Sequence, residues 1–136
     1  MAARLEEVRI RTIEQKDNAA LAQLIRSTLE EFGANHTGTV YYDESTDHLS
    51  DVFNTAGSVY YVAELDGEVI GGGGIYPTKG LPADTCELVK MYLYPQVRGI
   101  GLGTLLIRKC IAFAEDRLSE YLPRDYARTE TGIKDI

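Results

Sequence analysis

Residues 8–13 alternate between two faces, with Val8, Ile10 and Thr12 on one and Arg9, Arg11 and Ile13 on the other, which predicts a first strand. The period then changes. Leu21, Leu24, Ile25, Thr28, Leu29 and Phe32 recur at helical spacing behind Asp17 or Asn18 as the cap, and Gly33 is a fitting stop, so a helix with one core-facing stripe is expected. Residues 34–42 read as a polar, glycine-containing loop. Residues 43–54 predict a second short helix starting near Ser45, with Leu49, Val52 and Phe53 turned inward.

Residues 58–65 and 68–76 read as two strands joined by Asp66-Gly67, a dipeptide suited to the two positive φ angles of a type I′ turn. The second strand contains Gly71-Gly72-Gly73-Gly74. Glycines there forfeit side-chain packing and cost backbone entropy, so either another group approaches that backbone closely or the strand bulges. No helix follows, which argues against a phosphate loop. Residues 78–85 read as a loop beside Pro77 and containing Pro82, and 86–94 as a fourth strand. Leu102 opens a third helix whose Leu102, Leu105, Leu106, Cys110 and Phe113 face inward, with Lys109 interrupting the stripe.

The junction between that strand and helix, residues 91–106, carries the chemistry. It places a run of backbone N–H groups at a helix start, where they lack intrahelical partners and the macrodipole adds partial positive charge. Gly99, Gly101 and Gly103 permit positive φ and close approach of an anion, and Arg98 adds a planar fork of donors. A glycine-rich strand-to-helix connection can also serve geometry alone. Two phosphate motifs do not fit: a dinucleotide fingerprint from Gly99 would need glycine at Thr104, and the Gly-Lys-Ser/Thr ending of a P-loop is missing.

Arg98-x-x-Gly101-x-Gly103, preceded by a strand ending in Leu93-Tyr94-Pro95, resembles the acetyl-CoA motif of the GNAT N-acetyltransferase superfamily. The resemblance covers residues 8–113 and implies an α+β fold, a mixed, mainly antiparallel sheet flanked by helices. It divides the chain into a GNAT domain at 8–114, with its core motif at 91–106, and a charged tail at 115–136. It also implies acetyl-CoA as co-substrate without a metal. Pantetheine would lie along the backbone of Met91 and Leu93, the Leu93 N–H would be the oxyanion donor, and the turn from Arg98 through Gly99, Gly101 and Gly103 to Thr104 would hold the pyrophosphate. Glu87 resembles the glutamate that many members use as a base, often through water; read as a residue alone, it is equally a strand-end surface glutamate. The early loop would border the acceptor site, so His36, Tyr41 and Tyr42 either touch substrate or are solvent-exposed.

The implied activity is direct transfer of acetyl from acetyl-CoA to a primary amine of a small molecule or amino acid. The alternative is a truncated GNAT-fold module that binds CoA or a protein partner with weak catalysis. That alternative comes from the tail, where 10 of the 22 residues 115–136 are charged and no strand pattern is evident. The family's C-terminal strands are therefore expected to be missing. No general acid is assigned, because Tyr121 and Tyr126 match no family position. An unpaired fourth-strand edge with Val89, Met91 and Leu93 would invite a homodimer.

Bulk composition narrows the remaining classes. With 44% hydrophobic and 26% charged residues, 136 residues form one ordinary soluble domain able to bury about two-thirds of its unfolded surface. Apolar runs are too short for a membrane span, and the first residues lack the apolar core of a signal peptide, so a cytoplasmic location is expected. The balance of 14 basic against 21 acidic residues gives −7 without a basic cluster, which disfavours nucleic acid. Cys86 and Cys110 read as reduced core residues, and His36 and His48 have no ligand-spaced partners for a metal.

Overall fold

Five strands hydrogen-bond in chain order, and the first four alternate direction as an antiparallel meander. The computed structural model describes residues 3–77, 85–121 and 132–135. Strand β1 is Arg9–Thr12, β2 Val59–Leu65, β3 Glu68–Tyr76, β4 Thr85–Leu93 and β5 Gly132–Asp135; helix α1 is Asn18–Glu31, α2 Leu49–Val52 and α3 Leu102–Tyr121. Asp66 and Gly67 take φ of 52° and 81°, the pair of positive angles that a type I′ turn requires. Of the predicted loop at 78–85, residues 78–84 lie outside the described residues, and Thr85 belongs to β4.

The sheet buries both faces, and the period-2 pattern decides which residue goes where. Tyr60 and Val62 face α1 and α2, where they meet Leu21, Leu24, Ile25, Leu49 and Phe53. Val59 and Ala63 face α3, whose Leu102, Leu106, Cys110 and Ala114 are buried with Ile70, Ile75 and Leu88. Each fully buried leucine contributes about 2 kcal/mol, so these stripes carry much of the stability. Cys86 and Cys110 are unpaired thiols in the α3 layer, and burial pushes the Cys110 thiol up to about 11.

Three sequence expectations are corrected. Asp17 stands at the N-cap position of α1, but its side chain does not cap the helix. It is buried at 2% exposure, accepts both Nη atoms of Arg11 at 2.8 Å and takes the Glu14 N–H at 2.8 Å, while Asn18 ties α1 to α2 through Ser50. Phe32 leaves the apolar stripe at 68% exposure, because α1 ends at Glu31 and Gly33 reverses the chain at φ 70°.

The third correction concerns the tail. Helix α3 continues to Tyr121, and residues 132–135 form β5, parallel to β4 with Thr85 opposite Gly132 and Leu88 opposite Asp135. Four residues are too few for alternation to register in sequence. The pairing is supplied by the β4 edge and made possible by the α3 crossover, which a parallel neighbour requires. Tyr126 lies outside the described residues.

The four glycines answer the question their run poses. A Cβ on Gly72 would lie 2.6 Å from the Tyr60 ring, one on Gly74 2.5 Å from the Val59 carbonyl, and one on Gly73 2.5 Å from Met91 Cε. Both faces of β3 are therefore filled by neighbours. Register also shifts between Gly72 and Gly74, where Gly73 stands opposite Lys90 and Met91, so β4 bulges as well.

Gly74→Ala should therefore destabilise by about 2–3 kcal/mol, because a backbone carbonyl cannot yield, whereas Gly73→Ala should cost less because the methionine end can swing away. Urea titration of the two variants measures the order, and a reversed order would contradict the packing. For Asp17, burial pushes the carboxyl up, but the hydrogen bonds from Arg11 and from Glu14 N–H prevail and hold it below the usual range. A depressed folded pKa gives stability that is present above the unfolded value and lost as pH falls through the folded one. Stability should decline below about pH 4, and Asp17→Asn should cost about 3 kcal/mol at pH 7 while flattening that acid limb, as followed by denaturant melts across pH.

Candidate functional site

The site is built on β4, whose path is set by Tyr60. This phenol is fully buried, fills the space left by Gly72 and Gly74, packs 4.9 Å from the Phe53 ring and donates to the Lys90 carbonyl at 2.8 Å. Burial holds its pKa well above the ordinary tyrosine range, so the hydroxyl remains a donor. Lys90 adopts φ 56°, a left-handed conformation unfavourable for a residue with a Cβ and stabilised here by that hydrogen bond.

The bulge re-phases the strand. Before it, Leu88 faces α3 while Val89 packs toward α1; after it, Met91 and Leu93 face α3 while Tyr92 packs toward α1 and Tyr94, at the strand end, touches both layers. Glu87 shares the Val89 face by alternation, is half-buried and stands opposite Tyr76 in the ladder. Tyr76 lies edge-on to Phe53 and within 3.4 Å of the Thr55 hydroxyl. Desolvation lowers the Lys90 ammonium and raises the Tyr92 phenol, marking a partly dry face.

The far edge of β4 is shared unevenly. β5 registers only with Thr85 to Leu88, so among the described residues no strand lies beside Val89 to Leu93 on that edge. The Tyr94 N–H bonds Ile70 O at 3.0 Å, toward β3, and ladder alternation turns the Leu93 N–H and carbonyl the other way.

Past Tyr94 the chain makes a single turn of 3₁₀ helix at Pro95–Val97, with Val97 fully buried as an anchor. Gly99 and Gly101 then adopt φ of 82° and 91°, which only glycine takes without strain. The first bond of α3 runs from Leu105 N–H to Gly101 O, so the N–H groups of Leu102, Gly103 and Thr104 project from the helix start. There is no acidic residue in that first turn, and a Cβ on Gly99 would meet nothing within 4 Å. This glycine-lined cradle of N–H groups fits a pyrophosphate.

Arg98 takes a form the sequence did not suggest. Its Nη atoms donate to both oxygens of Glu31 at 2.7 and 2.9 Å, its Nε donates to Leu93 O at 3.0 Å, and its guanidinium carbon lies 5.5 Å from the Phe32 ring centre. The hydrogen-bonded Glu31 carboxylate raises the arginine and is itself held below its usual range.

Among the early-loop residues, His36 and Tyr42 are exposed, and Tyr41 gives its carbonyl to Arg26 Nε at 2.9 Å. Tyr60, Lys90 and Glu31 were not singled out from sequence. The glycine run was the available signal for the first two, since a void in a central strand needs a large neighbour to fill it. Among the described residues no group of three or more His, Cys, Asp or Glu is placed to hold a metal, and no helix is long and apolar enough to cross a membrane.

Known proteins share this fold. Residues 20–128 match the acetyltransferase (GNAT) family. The N-acetyltransferase YjgM of Escherichia coli, itself uncharacterized, is 42% identical over 98 residues, which are 71% of this chain and 59% of YjgM. N-acetyltransferase 8 of Rattus norvegicus is 27% identical over 85 residues, 61% of this chain and 38% of that protein, so the chain spans less than two thirds of these relatives. A protein of Clostridium acetobutylicum described as a predicted acetyltransferase and solved with acetyl-CoA superposes with a TM-score of 0.67 at 17% identity, covering 89% of this chain and 92% of that one. The PaiA N-acetyltransferase of Thermoplasma acidophilum, solved with coenzyme A, gives 0.63 at 17% identity, covering 81% and 73%. With the family match spanning most of its length, on a sheet whose fourth strand bulges and runs into a glycine-opened helix, the chain belongs to the GNAT acetyltransferase family.

Proposed function

We propose that this protein transfers acetyl from acetyl-CoA directly to a primary amine of a small molecule or amino acid. The observation that carries the reading is the β4 edge from Val89 to Leu93, which lies beyond the register of β5 and leads into the N–H cradle of α3. Membership of the family, and folds of the same kind solved with CoA or acetyl-CoA, support the choice of coenzyme.

Bound acetyl-CoA would supply an activated acyl group with a thiol as leaving group. The chain's own residues supply the rest. Backbone N–H groups from Gly99 to Thr104 hold the pyrophosphate, and the strand edge at Met91 and Leu93 aligns pantetheine as an added strand would. The Leu93 N–H, turned away from β3, donates to the oxygen that gains charge during attack. Glu87, on the opposite side from α3 and beside Tyr76, takes the proton of the incoming ammonium, directly or through water. The acceptor thus approaches from the α1 and α2 side while the coenzyme lies along the edge.

Thiol release with acetyl-CoA and a panel of amines tests the activity. No release with any amine, from a chain that binds acetyl-CoA, would leave a binding module instead. Gly101→Val forces a β-branched residue into φ 91° and should weaken acetyl-CoA binding at least about tenfold in a folded protein, measured by calorimetry. Glu87→Gln should lower kcat by about 10²-fold with near-normal coenzyme affinity, and the deficit should narrow at high pH, where the amine loses its proton unaided. Equal turnover of this variant at every pH would remove Glu87 from the mechanism.

A further inference from the structure

We infer that Glu31, the last residue of α1, is a positioning residue for the coenzyme turn and acts through Arg98. This rests on the reading that the turn holds the pyrophosphate of acetyl-CoA.

Glu31 stands where a helix least favours it. A carboxylate in the last turn faces the negative end of the macrodipole, so the placement costs α1 stability unless something else uses the charge. Arg98 does. Both carboxylate oxygens receive parallel bonds from the guanidinium, a geometry that fixes its plane as well as its position. Its third nitrogen then holds the Leu93 carbonyl, and that same peptide unit is held at its other end by Tyr94 N–H on Ile70 O. Phe32, exposed beside Glu31, covers the guanidinium face.

The turn that follows is held only at a few points. A Cβ on Gly99 would meet nothing within 4 Å, and the support comes from Val97 and Ile100, which pack in the α3 layer, and from Arg98 at its start. Ordering those glycines before the ligand arrives spares binding that entropic cost. The donors of Arg98 are thereby committed to the protein, and the phosphate is left to the backbone.

Two roles for Glu31 predict opposite signs. If the carboxylate merely added negative charge near a dianionic pyrophosphate, removing it would tighten binding, and it would also free Arg98 for the phosphate. If it positions the turn, removal weakens binding. Titration of acetyl-CoA into wild type, Glu31→Gln, Arg98→Lys and the double variant separates them. The expected result is a Kd and a KM for acetyl-CoA raised about tenfold in each single variant, with kcat within about twofold, and a double variant no worse than either single one, since both break one latch. Arg98→Lys keeps the charge and loses the fork, so it should resemble Glu31→Gln. Because the pair lies at the surface, melting temperature should scarcely move, and a melt confirms folding of each variant. A wild type that binds acetyl-CoA alongside a Glu31→Gln that binds as well or better overturns the role of Glu31 alone. Additive losses in the double variant overturn the latch. A wild type that binds no acetyl-CoA overturns both the latch and the functional reading beneath it.

Discussion

The hydrogen bond from the buried Tyr60 hydroxyl to the Lys90 carbonyl is the contact on which the shape of the site depends. It holds one residue of β4 in a left-handed conformation, and the extra residue it accommodates reverses which side chains face which helix. Without that reversal Met91 and Leu93 would point away from α3, and the Leu93 backbone would turn toward β3 instead of the open edge. A phenol can reach so far only because Gly72 and Gly74 leave room for its ring. A loss of packing in one strand thus becomes precision in the next.

Much of the architecture was legible because it rests on local rules. The type I′ turn at Asp66-Gly67, the stop at Gly33 and the Leu102, Leu106 and Cys110 stripe of α3 follow from backbone preference and periodicity, and the structure has them there, while Leu105 stays outside the core clusters and Ala114 joins them. The glycine run also announced that a neighbour would crowd it or a bulge would form; both occur. What sequence could not show was long-range choice. Asp17 reads as a cap by its position and stands there, yet the half-buried guanidinium of Arg11 claims its side chain. Phe32 fits the apolar stripe by spacing but lies one residue past the end of the helix.

The same distinction separates the parts of the candidate site. Its backbone half, the positive-φ glycines at 99 and 101 and the helix start where Gly103 lies, is encoded by adjacent residues. Its side-chain half is assembled from distant ones. Arg98 meets Glu31 across 67 positions and Tyr60 meets Lys90 across 30, distances over which no periodicity carries information. β5 belongs with these, since its four residues mean little until α3 returns them to the β4 edge.

The glycines of β3 have one more consequence, which concerns how the chain finds its alignment. A strand with side chains is guided into register because slipping by one residue would exchange its buried and solvent-facing sides. Gly71 to Gly74 have no sides to exchange, so this central strand carries almost no alignment information across its middle. That information must come from its ends. Asp66-Gly67 sets Leu65 against Glu68 at one end, the register shifts by one residue between Ala63 and Glu64, and Ile75 at the other end enters the α3 layer opposite Val59. The middle strand of the sheet is aligned like a blank tape held at two marks, and the hairpin turn is therefore as much a ruler as a connection.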